Sequence, residues 1–70
     1  GDEVLEEQIT LLYAAIRLLN DVERALVLLF LEDLPYRDIA ETLGISEVNA
    51  RVKMNRVKIK LKEIMSKMEQ

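Results

Sequence analysis

The sequence predicts an all-α fold, a four-helix domain with a C-terminal helix-turn-helix over residues 36–65. Three observations predict it. Ala50, Met54, Val57, Leu61, Ile64 and Met68 step by four, three, four, three and four, which keeps them on one side of a helix. Gly44-Ile45-Ser46 combines a helix-ending glycine with a helix-capping serine, the short turn that joins two crossing helices. Half of the 70 residues are hydrophobic, so the chain is no disordered tail, yet it is long enough for only one small domain.

The first helix is expected from about Glu3 to Leu19. Val4, Leu5, Ile9, Leu12, Tyr13, Ile16 and Leu19 form its apolar face, and Glu6, Glu7 and Gln8 its wet face. That face is read as core, with Tyr13 a packed aromatic whose hydroxyl lies at the rim. Asn20 opens the second helix, with Glu23 at the spacing of a capping box. Arg24 to Leu34 is then mostly apolar. Leu26, Leu29, Phe30 and Asp33 share one side, while Ala25, Val27, Leu28 and Leu31 spread around the rest. Such a helix needs neighbours on more than one side, either as the central core helix or as part of a groove for a partner helix.

Pro35 suits a helix opening, so the third helix starts at about Tyr36. Ile39, Ala40 and Leu43 give it an apolar face, and small Ala40 admits a close neighbour. Gly44 ends it, Ile45 is placed to plug the core, and the Ser46 hydroxyl is expected to accept from the N–H of Val48 or Asn49.

Charge is polarised along the chain. Residues 1–41 carry ten acids and three bases, a net of −7; residues 42–70 carry seven bases and three acids, a net of +4. The total of −3 argues against nucleic acid at first sight, but a domain so divided can turn its basic face to phosphates. The chain has no cysteine and no histidine, which removes thiol nucleophiles, disulfides, the commonest zinc ligands and the usual general base. No carboxylate pair or metal cluster has usable spacing, so neither an enzyme nor a cofactor is expected. No signal peptide is visible, and the apolar run Ala25 to Leu31 is too short to span a bilayer, so the expectation is a cytoplasmic protein with no membrane partner.

Arg51, Lys53, Arg56, Lys58, Lys60 and Lys62 fill the last helix outside its apolar stripe. A helix-turn-helix inserts the N-terminal half of its second helix into the major groove. The candidate DNA-binding residues are therefore Arg37, Ser46, Val48, Asn49, Arg51, Val52, Lys53, Arg56 and Lys58. Asn49 and Arg51 suit base edges, since Asn pairs bidentately with adenine and Arg with guanine. Lys53, Arg56 and Lys58 suit phosphates, as do Arg37 and the Ser46-capped helix N-terminus. Lys60, Lys62 and Lys67 are read as charges serving solubility and the helix dipole.

The string L-N-D-V-E-R-A-L-V-L-L-F-L-E-D-L-P-Y-R-D-I-A-E-T-L-G-I-S, followed by a basic helix ending R-V-K-I-K-L, resembles region four, the C-terminal promoter-binding domain of bacterial RNA polymerase sigma factors. The likeness covers about Ile9 to Met65 and is greatest to the small extracytoplasmic-function type. It implies a winged-helix-like DNA-binding class without the wing, and recognition of the minus-thirty-five element of double-stranded promoter DNA. Implied partners are the β flap of core RNA polymerase and an anti-sigma factor. The domain would then be a fragment of a longer sigma factor, and the Arg24 position would help tie the core helix to the helix-turn-helix. Two departures stand out: Val48-Asn49-Ala50 where the family usually has a small residue and Thr-Val, and Val52 where it usually has a polar residue. Val48, Val52 and Ile59 make a second apolar stripe suited to thymine methyl groups or to a protein. Two other readings are a response-regulator output domain, which shares the I-S cap, and a protein-interaction module that has lost DNA binding.

Overall fold

Four helices form where capping and turn chemistry permit: α1 (Asp2–Arg17), α2 (Asp21–Leu31), α3 (Tyr36–Leu43) and α4 (Glu47–Met68). The structure is a computed structural model and describes residues 1–69.

Helix α1 stops two residues short of expectation. The Leu18 and Leu19 N–H groups donate to Ala15 and Ile16 at 3.0 and 3.1 Å, tight i→i−3 bonds that close the last turn. The capping box then starts α2: Asn20 Oδ1 accepts from the Glu23 N–H at 2.8 Å, and Glu23 Oε1 from the Asn20 N–H at 3.0 Å. Arg24 secures the junction from the other side. Its Nη2 donates to the carbonyls of Arg17 at 3.0 Å and Leu19 at 2.9 Å, and its Nε to Ile16 at 3.4 Å. Carbonyls at the end of a helix have no partner within it, and the guanidinium supplies one together with a favourable charge. So Arg24 ties α2 to α1, rather than to the helix-turn-helix.

Helix α2 ends at Leu31, short of the expected Leu34, because Asp33 turns left-handed at φ 68°. The Leu34 N–H reaches back to Leu29 at 3.4 Å and the Asp33 N–H to Phe30 at 3.0 Å, the two bonds of a Schellman closure. Asp33 is thus an exposed stop residue and shares no helix face with Leu26. Asp tolerates this backbone better than most residues other than Gly. Gly44 repeats the closure after α3 at φ 70°, with Ile45 N–H to Ala40 at 3.0 Å and Gly44 N–H to Glu41 at 3.3 Å. Pro35 sits one residue outside α3, with helical φ but extended ψ, and its carbonyl accepts from Asp38 and Ile39.

The core gathers Ala15, Ile16 and Leu19 of the α1 segment, Leu26 and Val27 of α2, Ile39 of α3, and Met54, Val57 and Leu61 of α4. Ala40 and Ala50 are also buried, small residues on the faces where α3 and α4 meet. Helix α4 packs against all three others. Its 22 residues rise about 33 Å, nearly the whole 37 Å length of the molecule. Ile64 and Met68 continue its stripe half-buried, whereas Ile45 is half-buried outside the core cluster.

The first turns of α1 are a correction. Val4, Leu5, Ile9 and Tyr13 are exposed, and every residue from 1 to 10 faces solvent. Of the expected core side only Leu12, Ile16 and Leu19 find neighbours, joined by Ala15. The buried residues of the α1 segment lie at its carboxyl end, beside the junction with α2, and among the described residues no other helix covers residues 1–10. The radius of gyration of 13.0 Å exceeds the about 11 Å expected for a globular chain of this length. On α2, Val22, Leu28 and Leu31 are exposed as well.

Candidate nucleic-acid interface

The face of α4 turned away from the core follows from its buried stripe. Residues of a helix are about 100° apart, so with Ala50, Met54, Val57 and Leu61 inward, Val48, Val52, Asn55 and Ile59 point outward. All four are exposed, Val48 at 71% and Ile59 at 61%. Basic residues flank this strip on both sides: Arg51, Lys58 and Lys62 along one, Lys53, Arg56 and Lys60 along the other.

The helix N-terminus is built as expected. The Ser46 hydroxyl accepts from the Asn49 N–H at 3.1 Å. This leaves the N–H groups of the first turn facing outward beside the exposed Asn49 side chain.

Several candidates are held by neighbours. The Arg51 guanidinium lies 4.6 Å over the Tyr36 ring and donates to Glu47 Oε1 at 3.1 Å. Stacking and pairing together set its direction on one edge of the strip. Lys58 Nζ lies 4.7 Å over the Phe30 ring, and Phe30 and Tyr36 are neighbours at 6.1 Å between centroids. The two cations therefore rest on a pair of aromatic rings from α2 and α3, which joins the reading helix to the helices behind it. On the opposite edge, Lys53 is half-buried and Arg56 exposed, and both line a shallow cleft with Asn20, Val22 and Glu23. Arg37 stands apart on α3, 81% exposed, with Asp38 Oδ1 3.8 Å from its Nε.

Lys60 departs from its reading as a solubility charge. Its Nζ donates to both Glu23 oxygens, at 2.9 and 3.2 Å. The Asn20 N–H and the Lys60 ammonium hold the Glu23 carboxyl below its ordinary value of 4.5. Two further features escape a reading of local sequence. Asn55 stands between Val52 and Ile59 on the outward strip, and its position seven residues after Val48 was the available signal. Tyr36 supports Arg51, and no local pattern marks it.

The arrangement offers a convex helix face, apolar along its crest and cationic on both shoulders. The polar atoms along it are hydrogen-bond donors and acceptors. Among the described residues no cluster of acidic side chains could hold a metal ion, and no helix is long and apolar enough to cross a membrane.

Comparison with curated proteins gives no match, and neither does comparison with solved structures. The family described as Sigma-70, region 4 matches residues 9–61. The match begins where α1 approaches the core and ends at Leu61, the last buried residue of α4. It excludes the most exposed turns of α1. Because it takes in most of the chain, including the turn and the basic helix, the chain belongs to the sigma-70 region 4 family of DNA-binding sigma factor domains.

Proposed function

We propose that the chain reads the minus-thirty-five element of promoter DNA with the exposed N-terminal half of α4 while docked on core RNA polymerase, within a longer sigma factor of the extracytoplasmic-function type. The observation that carries this reading is the outward crest of α4 between two cationic shoulders, directly after a capped helix N-terminus. A helix about 10–12 Å across fits a major groove about 12 Å wide, and shoulder cations then meet the phosphates on both walls. Asn49 and Arg51 contact base edges, with Val48 and Val52 beside them. Lys53, Arg56 and Lys58 contact phosphates, as do Arg37 and the uncapped N–H groups of the first turn that follows Ser46.

Docking uses the other half of the molecule. Val4, Leu5, Ile9 and Tyr13 of α1, with Leu28 and Leu31 of α2, offer apolar surface to the β flap of the polymerase. An anti-sigma factor would compete for the same surface. The working compartment is the cytoplasm, where the polymerase acts, and the domain works without catalysis or cofactor.

The exposed Val48 and Ile59 favour a second reading, a protein-docking module that has lost DNA binding. The response-regulator reading has no such support against the family match. The test is selection from random duplexes across a salt series, with the chain alone and joined to the flap helix. Enrichment of one short motif, lost on Asn49→Ala or Arg51→Ala, supports promoter recognition. No duplex binding in either format at low salt leaves the docking module as the function.

A further inference from the structure

From the crest of α4 we infer that the domain selects A·T base pairs through Val48, Val52 and Asn55, the two valines packing on thymine methyl groups and the Asn55 amide pairing with adenine. The inference rests on the groove-reading role of α4 proposed above and names the bases read there. Val48, Val52 and Asn55 follow one another at steps of four and three, so their side chains form a single ridge with adjacent Cβ atoms about 5–6 Å apart. The ridge rises about 10 Å from Val48 to Asn55, the height of roughly three base pairs.

Two exposed β-branched residues on a crest between charges have no partner within the protein, Val48 at 71% and Val52 at 40% exposure. What covers them is indicated by their surroundings. Arg51 and Lys58 lie along one shoulder and Lys53 and Arg56 along the other, four cations bracketing a narrow apolar line. A protein partner of that pattern would have to present acid on both sides of an apolar ridge. Duplex DNA presents it wherever an A·T pair falls: two phosphate walls, with the thymine methyl as the apolar group on the major-groove floor.

Asn55 completes the chemistry. Its exposed amide has one acceptor and two donors, the set that matches adenine N6 and N7. A side chain three residues earlier, Val52, then reaches the methyl group of the same or the next pair. Arg51 does not duplicate this role, because a guanidinium carries donors alone and offers no acceptor to adenine N6.

The duplex enriched from the random pool is remade with each thymine replaced in turn by uracil, which removes only the methyl group. Binding to the unmodified protein and to Val48→Ala, Val52→Ala and Asn55→Ala is then measured by fluorescence anisotropy. At least one replacement should weaken the unmodified protein about fourfold, the equivalent of one buried methyl group. Val48→Ala or Val52→Ala should abolish the difference between thymine and uracil at that position. Asn55→Ala should lose roughly tenfold on the enriched duplex and accept other bases at one adenine. All three side chains are exposed, so circular dichroism should show unchanged folding. If a motif is enriched but no uracil replacement matters, or the valine variants keep the same penalty, the inference is overturned and groove reading stands. If no duplex is enriched, both fall.

Discussion

Lys60 and Glu23 are joined across 37 residues of chain, the Lys60 ammonium donating to both carboxylate oxygens at 2.9 and 3.2 Å. The same carboxylate accepts from the Asn20 N–H, so one side chain closes the start of α2 and fastens it to the middle of α4. Glutamine keeps the capping geometry and removes the charge. Glu23→Gln should cost up to about 1 kcal/mol at pH 7, a few degrees in Tm. Glu23 is held below 4.5, so the folded state binds protons less readily than the unfolded chain. Its contribution is complete above that value and is lost as pH falls through the lower folded value. Thermal melts at pH 7 and pH 3 should therefore show the gap between the two proteins narrowing in acid. A gap that stays constant would mean the ion pair contributes nothing.

Arg24→Ala removes the donors that close the carboxyl end of α1 and leaves three carbonyls to solvent. A loss of about 1–2 kcal/mol is expected. Arg24→Lys should recover little of it, because a single ammonium cannot reproduce the fork that spans Arg17 and Leu19. Urea melts with matched m-values would measure this, and full recovery by lysine would contradict the fork.

Met54 and Gly44 should respond to alanine for opposite reasons. Met54 is 1% exposed at the centre of the core, so Met54→Ala opens a cavity and should cost about 2–5 kcal/mol. At Gly44 a Cβ would meet nothing within 4 Å, so the whole cost is its left-handed backbone, about 1 kcal/mol. Calorimetry of the two variants should rank them in that order.

Salt dependence separates phosphate contacts from base contacts. Arg56→Ala should weaken binding to all duplexes about equally and reduce the slope of log K against log salt by about one. Asn49→Ala should leave the slope unchanged and relax preference at one position. An unchanged slope for Arg56→Ala would take that residue off the DNA backbone.

Local chemistry made most of the fold legible. The Asn20–Glu23 box, Gly44, the Ser46 cap and the stripe from Ala50 to Leu61 each depend on neighbours within a few residues, and each is found as read. The first turns of α1 were misjudged because periodicity shows which residues share a face and says nothing of whether a second helix lies opposite. The stop at Asp33 was missed because a left-handed aspartate has no sequence mark as plain as glycine. The bridge from Lys60 to Glu23 and the stack of Arg51 on Tyr36 join different helices, and spacing within one helix carries no trace of them. At the candidate interface the basic residues were legible as a group, while the supports of Arg51 and Lys58 and the outward place of Asn55 needed the packed stripe as a reference.

Helix α4 is both the crest that faces outward and the element on which the other three helices lean. Folding and reading are therefore one equilibrium in this chain. A ligand on the crest draws the unfolded population into the native state by mass action, about 2.7 kcal/mol at a concentration one hundred times its Kd. In reverse, any substitution that loosens the inner side of α4, Val57→Ala for example, is felt as weaker binding on the outer side. A core substitution lowers occupancy of the crest by the fraction of chain it leaves unfolded, and so acts strongly only where it brings the domain near its unfolding midpoint.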